Sequence, residues 1–175
     1  MASINPNGTK HHYERGKIEG SWKGMKKQLE LELLCESLRG RVSYHFAKYT
    51  HFGSSGSCAA ICLDGKDVKK FGFLHADAQL RRLGTLAEGQ HVWDIPLAER
   101  GEYELWDFTN ALKTYRNQSI EMSIANDNPI IRMFAIVDRR VGKRTLTRLR
   151  ETADAQPEWL KALYEARLKA EGIVP

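Results

Sequence analysis

Apolar residues recur every three to four positions between Ser21 and Gly40, which predicts a helix over this segment. Ser21 is suited to cap its N-terminus and Gly40 to end it. The helix carries apolar side chains on two opposite sides, so we expect it to lie in the core between two layers. The two stripes are Trp22, Met25, Leu29 and Leu33, and Leu31, Leu34 and Leu38.

From Arg41 the period changes to two, which predicts a half-buried strand with Val42, Tyr44 and Phe46 facing inward. The Gly/Ser-rich stretch Gly53–Ser57 predicts a flexible connection after it. A second strand is expected to follow this connection.

The dipeptide Asp64-Gly65 is a strong signal for a tight hairpin turn. It separates the predicted second strand, over Cys58–Leu63, from a third strand over Asp67–Leu74. Beyond the hairpin we expect a short helix over Ala76–Leu83 and a fourth strand over His91–Ile95. The first half of the chain therefore predicts a meander of antiparallel strands.

The second half of the chain returns to helical spacing. One predicted helix ends near Asn117, and a shorter one covers Ile120–Ala125. Asn128-Pro129 marks the start of a third helix, which we expect to run to Gly142. A last helix is predicted to begin near Pro157.

Strands grouped before helices are typical of an α+β protein. We predict an antiparallel β-meander of three to four strands packed against several helices. With 175 residues the chain has the length of one domain. We expect residues 21–175 to form that domain, with a C-terminal helix, and the polar, basic residues 1–20 to form an N-terminal arm.

The composition is that of an ordinary soluble protein, with 42% hydrophobic and 28% charged residues. No apolar run approaches the roughly 18 residues that a membrane helix needs, and the N-terminus lacks the apolar segment of a secretory signal. The three cysteines are too few for a disulfide scaffold and are typical of a reducing compartment. We therefore expect a cytoplasmic protein with no membrane partner.

The net charge of +5 is unevenly distributed, because seven basic residues and one acidic residue stand between Arg132 and Arg150. On a helix running to Gly142, Arg132 and Arg139 would share one face, since residues seven apart lie about 20° apart. Guanidinium groups bind phosphate oxygens in a two-pronged geometry. The pattern therefore predicts a surface for a polyanion such as RNA or DNA. The candidate residues are Arg132, Arg139, Arg140, Lys143, Arg144, Arg148 and Arg150.

Other interpretations of these basic residues stay open. They can pair with acidic residues of the body, such as Glu99, Glu102 and Glu104, or bind an acidic surface of a partner protein. Positive charge near a helix C-terminus would also stabilise the helix by about 0.3–1 kcal/mol per group. The predicted helix offers one aromatic ring, Phe134, on its apolar side, so we expect contacts to a nucleic-acid backbone rather than sequence-specific readout.

The hairpin offers a catalytic alternative. Asp67 and Lys69 have the spacing found in metal-dependent nucleases, where carboxylates hold Mg²⁺ and a lysine assists the attacking water. On a regular strand the two side chains would point to the same face. Asp64 lies in the turn itself, so a further ligand would come from elsewhere, for example Glu32 or Glu36. The ordinary interpretation of such charges beside a turn is a solvated surface.

The sequence predicts neither a cofactor nor a metal centre. In a strand, Cys58 and Cys62 would lie about 13 Å apart at ~3.3 Å per residue, too far to share one zinc ion. The six histidines show no metal-ligand spacing. A nucleophile elbow, a phosphate loop and a dinucleotide fingerprint are all absent from the sequence. We therefore expect a non-catalytic protein.

Four segments of the chain stand in a recognisable order: Leu38–Val42, Asp64–Lys66, Asn128–Arg132 and Asp138–Arg144. Together they resemble a family of small uncharacterised bacterial proteins that is known only by a locus-tag name. The resemblance spans roughly Trp22–Leu146 and implies a bacterial, cytoplasmic, single-domain protein, with no established activity or site residue. The N-terminal arm, Gly53–Ser57 and His75–Arg100 depart from the family pattern.

These observations predict a non-catalytic nucleic-acid-binding protein, acting alone or as a subunit of a bacterial nucleoprotein assembly. One alternative is a protein–protein interaction module that binds an acidic surface. The other is a Mg²⁺-dependent nuclease that uses Asp67 and Lys69.

Overall fold

The computed structural model describes residues 21–51 and 54–173, so the predicted N-terminal arm lies outside the described residues. Within them the chain forms the predicted α+β fold, a three-stranded antiparallel meander sheet packed with eight α-helices. The strands are β1 (Val42–His51), β2 (Ser54–Leu63) and β3 (Lys66–Phe71). The helices are α1 (Trp22–Lys27), α2 (Phe73–Arg82), α3 (Leu97–Arg100), α4 (Leu105–Arg116), α5 (Ile120–Ile124), α6 (Pro129–Ile136), α7 (Lys143–Arg150) and α8 (Glu158–Ala170).

Turn chemistry sets the register of the sheet. β1 pairs with β2 from Val42 opposite Leu63 to His51 opposite Ser54. The Asp64-Gly65 turn has a positive φ at both residues, 51° and 78°, which is the conformation that a type I′ hairpin requires. The predicted hairpin is thus confirmed.

The predicted flexible connection is wrong where the structure describes it. Gly53 lies outside the described residues, whereas Ser54–Ser57 form the first part of β2. Pairing with β1 holds this stretch extended, although glycine at position 56 has a low intrinsic preference for strands. The predicted third strand is shorter than expected and ends at Phe71, because the chain enters α2 at Phe73.

The predicted fourth strand over His91–Ile95 is also wrong. Val92–Asp94 form a single 3-10 turn, in which the Asp94 carboxylate accepts the backbone N–H of His91 at 2.8 Å. Val92 is buried in a small second core with Ala76, Leu80 and Leu86. A local hydrogen bond from side chain to backbone takes the place of strand pairing here.

The helix predicted over Ser21–Gly40 is interrupted. It begins as predicted, with the hydroxyl of its N-cap serine accepting the N–H of Gly24 at 3.1 Å. After α1 it widens into a π-helical stretch over Gln28–Leu33, and Leu34 is extended and forms an isolated bridge with Asp138. The prediction of one continuous helix is therefore wrong.

The interruption changes which apolar residues are buried. Leu34 and Leu38 lie in the core, whereas Leu31, in the π-helical stretch, is 60% exposed. A 3-10 turn over Glu36–Leu38 then leads to β1. The first segment therefore buries only part of its two predicted stripes.

The helix predicted to begin at Pro129 does so. The Asn128 side chain accepts the N–H of Ile130 at 2.9 Å, as an N-cap does. The helix ends at Ile136, however, well before the predicted end at Gly142. Gly142 is instead the residue that precedes α7.

Tertiary hydrogen bonds take over where α6 ends. The backbone N–H of Cys35 donates to the carbonyl of Val137 at 2.9 Å, and the N–H of Arg139 donates to the carbonyl of Leu33 at 2.8 Å. These bonds satisfy backbone groups that a continued helix would have paired internally. The partners lie about a hundred residues earlier in the chain, so a local sequence window does not contain them.

The remaining predicted helices are confirmed with small shifts. α4 ends at Arg116, α5 covers Ile120–Ile124, and α8 begins at Glu158. α2 begins at Phe73, a few residues before the predicted start at Ala76. In the part of the chain that the structure describes, no helix is both long and apolar enough to cross a membrane.

Aromatic rings fill the core between the sheet and helices α4, α6 and α8. The ring of Tyr44 on β1 lies 6.3 Å from that of Phe134 on α6, measured between centroids. Phe134 lies 5.2 Å from Phe108 on α4, which lies 5.1 Å from Phe71 on β3. Rings at these separations attract one another beyond their apolar burial. The cluster holds α6, and the turn that follows it, against the sheet.

A buried charge cluster joins α3 to the start of α4. Arg100 and Asp107, whose side chains are 7% and 8% exposed, form an ion pair at 2.9 Å. Arg100 also donates to the carbonyl of Val92 at 3.1 Å. Asp107 and Glu104 form a capping box, in which each side chain accepts the other's backbone N–H. The cluster thus holds two buried carboxyl groups and one guanidinium.

Replacing Glu104 with glutamine is expected to reduce the dependence of stability on pH. Burial, and then Asp107, raises the pKa of Glu104 from 4.5 to about 7. The folded protein therefore keeps a proton that the unfolded chain releases, and stability falls as the pH rises through that window. From about pH 5 to about pH 8, the free energy of unfolding of wild type should therefore fall by on the order of 2–3 kcal/mol relative to that of the variant. Denaturant unfolding at both pH values measures this relative fall, and an equal difference at the two would contradict the prediction.

Candidate polyanion-binding surface

The turn after α6 and the whole of α7 form one continuous basic segment, Arg139–Arg150, which contains no acidic residue. Four of its cations have exposed side chains that make no hydrogen bond or ion pair with any residue in the described ranges 21–51 and 54–173. These open cations are Arg139, Lys143, Arg144 and Arg148. Arg144 and Arg148 stand four residues apart on α7 and therefore share one face.

The inner side of α7 is apolar and fixes which residues face outward. Leu146 and Leu149 are buried, and the basic residues occupy the exposed positions around them. This is the pattern of an amphipathic helix with its charged side in solvent. The fold therefore presents the basic side of α7 outward.

Lys143 and Arg144 lie in the first turn of α7. The positive end of a helix dipole is there, so these two charges do not stabilise the helix that carries them. The predicted helix-stabilising role near a C-terminus is therefore wrong for this pair. Arg148 and Arg150 lie in the last turn of α7, where positive charge is favourable for the helix.

Arg132 does not join the basic segment. Its Nε donates to Gln156 Oε1 at 2.9 Å and its Nη1 to the carbonyl of Asn126 at 2.6 Å. It thereby ties α6 to the loop that precedes it and to the loop before α8. The expectation that Arg132 and Arg139 share a helix face is wrong, because α6 ends before Arg139.

Arg140 is held in place by a buried carboxylate. Asp138 is fully buried and accepts the backbone N–H of Arg140 at 2.6 Å. The Arg140 guanidinium donates to the same carboxylate from Nε at 3.1 Å and from Nη2 at 2.9 Å. Asp138 also accepts the hydroxyl of Tyr115, and Tyr115 accepts Nη2 of Arg140 at 3.0 Å.

The surroundings of Tyr115 and Arg140 keep these two groups in fixed protonation states. Burial, and then the hydrogen bond to Asp138, raises the pKa of Tyr115 far above its ordinary value. The hydrogen bond to Asp138 raises the pKa of Arg140, against the opposing effect of burial. Tyr115 therefore stays a neutral donor and Arg140 a cation over the physiological pH range.

A further arginine, Arg167 on α8, positions the entry to α7 from inside the core. Its Nη2 donates to the carbonyl of Val141 at 3.0 Å and its Nη1 to the hydroxyl of Ser37 at 3.2 Å. Glu171 pairs with the same guanidinium at 3.4 Å.

Sequence reasoning missed both Arg167 and Tyr115. For Arg167 a signal existed, since it stands four residues after Leu163 and three after Tyr164 and therefore falls on the apolar side of the last predicted helix, where a charged residue calls for a partner. For Tyr115 no local signal existed, because its partner Asp138 belongs to another element.

Two of the three acidic residues suggested as internal partners are engaged elsewhere. Glu102 pairs with Lys69 at 3.0 Å, and Glu104 is buried in the cluster with Asp107. Neither neutralises the open cations of the basic segment.

The hairpin residues Asp67 and Lys69 lie on opposite faces of the sheet. A register shift between Ile61 and Cys62 places Asp67 opposite Cys62 and Lys69 opposite Ile61. Consecutive residues of a strand face opposite sides, so their two partners do as well. The expectation of a shared face is therefore wrong, because a bulge interrupts the alternation.

The two carboxylates of the hairpin, Asp64 and Asp67, also have partners of their own. Asp64 accepts two hydrogen bonds from Arg41, at 2.9 and 2.8 Å, and the Cys62 thiol donates to Asp67 at 3.0 Å. Burial, and then the hydrogen bond to Asp67, raises the pKa of Cys62 to about 11, so this thiol stays protonated. Among the described residues no group of three or more side chains is placed to hold a metal ion.

Comparison with known proteins bears on the whole described fold. No curated protein and no solved structure matches the chain. One family model matches residues 21–168, which include the sheet, the triad of Tyr115, Asp138 and Arg140, and the entire basic segment. This confirms the resemblance to a family named after a locus tag, and the chain belongs to the SF0329 protein family.

Proposed function

We propose that the protein binds polyanions, RNA or DNA, through the basic segment, without catalysis, alone or as a subunit of a bacterial nucleoprotein assembly in the cytoplasm. The observation that supports this most is the set of four open cations, Arg139, Lys143, Arg144 and Arg148, which have no acidic partner among the described residues. A cluster of exposed positive charges raises the local concentration of an anionic ligand. Phosphate oxygens accept charge-assisted hydrogen bonds from such side chains directly.

The mechanism is electrostatic and predicts a strong dependence on salt. Each phosphate neutralised by a cation releases condensed counterions, which contributes about 0.7–0.9 to the slope of log K against log salt concentration. Contacts from the four open cations therefore predict a slope of roughly −3.

The double variant Arg139→Glu/Arg144→Glu is expected to weaken oligonucleotide binding roughly 10- to 100-fold at low salt, because two phosphate contacts become repulsive. The slope should become shallower by about 1.5–2. Fluorescence anisotropy of labelled RNA and DNA oligomers across a salt series measures both quantities.

A matched control reverses two exposed cations on other elements, Lys66→Glu/Arg82→Glu. It changes the net charge by the same amount and should alter affinity no more than about threefold. Equal losses in the two double variants would show that overall charge, and not the basic segment, governs binding. Unchanged affinity in Arg139→Glu/Arg144→Glu would refute the assignment.

The same experiment, repeated with Mg²⁺, separates the nuclease alternative. Intact oligomers after prolonged incubation are expected under the proposal. Cleavage that requires Mg²⁺ and is lost in Asp67→Asn would support catalysis at the hairpin instead.

A protein-interaction module is the second candidate function. Leu31 is 60% exposed and stands two residues before Leu33, whose carbonyl accepts the N–H of Arg139. An apolar residue near unpaired cations suits a partner with an acidic rim around an apolar centre. Under this alternative neither RNA nor DNA binds at low salt.

A further inference from the structure

The Arg140 guanidinium differs from the other cations of the basic segment because its plane is fixed. Nε and Nη2 both donate to Asp138, and Nη2 also donates to the Tyr115 hydroxyl. The guanidinium carbon lies 5.5 Å from the centroid of the Tyr115 ring. Asp138 is fully buried and Tyr115 is 1% exposed, so neither anchor can follow the guanidinium out into solvent.

Arg140 keeps exposed surface beyond these contacts. Its side chain remains 44% exposed despite these contacts. Nη1, which carries two N–H groups, has no acceptor in the part of the chain that the structure describes. Arg139, Lys143 and Arg144 stand within four residues of it and supply flexible positive charge around this fixed group.

We infer that Arg140 makes the basic segment selective for single-stranded nucleic acid, by stacking on an unpaired base while Nη1 contacts a neighbouring phosphate. This inference rests on the proposed function and names the ligand class of the same surface. Guanidinium planes are established stacking partners for splayed bases. A plane that is already oriented loses less conformational entropy on binding than a free arginine does.

The other cations of the basic segment lack a fixed orientation, and the inference follows from this difference. Arg139 and Arg144 are exposed without partners among the described residues, so they act as mobile charges toward any polyanion. In a duplex the faces of the bases are covered by their neighbours, and a polyphosphate has no bases. Only a strand with unpaired bases can use the flat face of Arg140 as well as the surrounding charge.

Three ligands of equal phosphate number separate stacking from charge. They are a single-stranded oligonucleotide of mixed sequence, an abasic sugar–phosphate strand, and inorganic polyphosphate. At moderate salt the base-containing strand is expected to bind the wild-type protein about tenfold more tightly than the abasic strand. The abasic strand and polyphosphate should bind with similar affinity and similar salt slopes.

Arg140→Lys keeps the charge but removes the plane. This variant is expected to lose the preference for the base-containing strand, while the salt slope of polyphosphate binding stays the same because the charge is retained. Arg82→Lys on α2 is the matched control, which exchanges the same residue types at an exposed position outside the basic segment, and it should retain the full preference. Thermal unfolding of each variant verifies that the fold is intact.

A measurement on the wild-type protein keeps the test independent of the variant's folding. The Nε–H group of Arg140 is hydrogen-bonded to Asp138, so its NMR signal should be protected from exchange with water. A stacked base shifts this proton resonance upfield through its ring current. The base-containing strand is expected to produce that upfield shift, and the abasic strand is not.

The outcomes distinguish the two proposals. If no polyanion binds at low salt, the proposed function fails. If all three ligands bind equally and the Nε–H signal does not move upfield, the basic segment binds polyanions and the inference about Arg140 is overturned. A full base preference in folded Arg140→Lys overturns it as well.

Discussion

Replacing Arg100 with methionine is expected to lower the free energy of unfolding by about 3–5 kcal/mol near pH 8. The side chains of Arg100 and Asp107 are both almost fully buried and joined at 2.9 Å. Glu104 is the second carboxyl group of this cluster. Without the guanidinium, Asp107 must be buried as an unpaired charge or must take up a proton, and either costs free energy at this pH.

The loss is expected to be clearly smaller near pH 5. Burial already raises the pKa of Asp107, and Arg100 is the first influence that opposes this rise. In Arg100→Met the pKa of Asp107 rises further, so the folded variant binds a proton more readily than its unfolded chain does. Stability then falls as the pH rises between the unfolded and the folded pKa.

Denaturant unfolding of wild type and variant at the two pH values measures this difference. Methionine matches the length of the arginine stem, which keeps the packing change small. A loss of equal size at both pH values would indicate a packing defect and would contradict the electrostatic explanation.

Replacing Asp138 with asparagine is expected to cost about 2–4 kcal/mol of stability, because one carboxylate satisfies three different donors. These are the Tyr115 hydroxyl, the Arg140 backbone N–H and the Arg140 guanidinium. The amide of asparagine turns an N–H₂ group toward at least one of them. That donor then loses the acceptor at position 138, which is fully buried.

Tyr115→Phe is the matched comparison for Asp138→Asn. It keeps the buried ring and removes one hydroxyl, while the carboxylate retains its bonds from Arg140. We expect a loss of about 1 kcal/mol. Thermal and denaturant unfolding rank the two variants, and equal losses would show that the guanidinium and backbone bonds of Asp138 contribute nothing.

Local sequence information predicts one part of the candidate site, and contacts between distant elements decide the rest. The composition of residues 132–150 predicts a basic surface, and the structure keeps Arg139, Lys143, Arg144 and Arg148 open on one segment. Arg132 could not be separated from them in advance, because its acceptors Gln156 and Asn126 lie on loops whose position depends on the packing of α6 and α8. The role of Arg140 likewise depends on Tyr115 of α4.

The hairpin illustrates why the catalytic alternative looked plausible in the sequence. Two residues apart on a regular strand, Asp67 and Lys69 would share a face. The register shift at Ile61 and Cys62 sends them to opposite faces. No dedicated residue in the sequence marks such a bulge, so the alternation of β3 could not be corrected in advance.

Short windows of the sequence are enough to predict the features that a few neighbouring residues control. The type I′ turn at Asp64-Gly65 needs positive φ at two positions, and the start of α6 needs an Asn128 side chain beside Pro129. The inward alternation of β1 and the basic character of the segment after α6 also follow from short windows. These features are local because the interacting groups belong to residues that stand only a few positions apart in the sequence.

Contacts between distant elements set three further features: where the first helix breaks, where α6 ends and which arginine is fixed. Each of these depends on partners distant in sequence: Leu33 with Arg139, Cys35 with Val137, and Tyr115 with Asp138. Buried backbone and side-chain polar groups must be hydrogen-bonded, and here their hydrogen-bond partners belong to other elements. A hydrogen bond between residues far apart in sequence outweighs a local helical preference worth only tenths of a kcal/mol per residue.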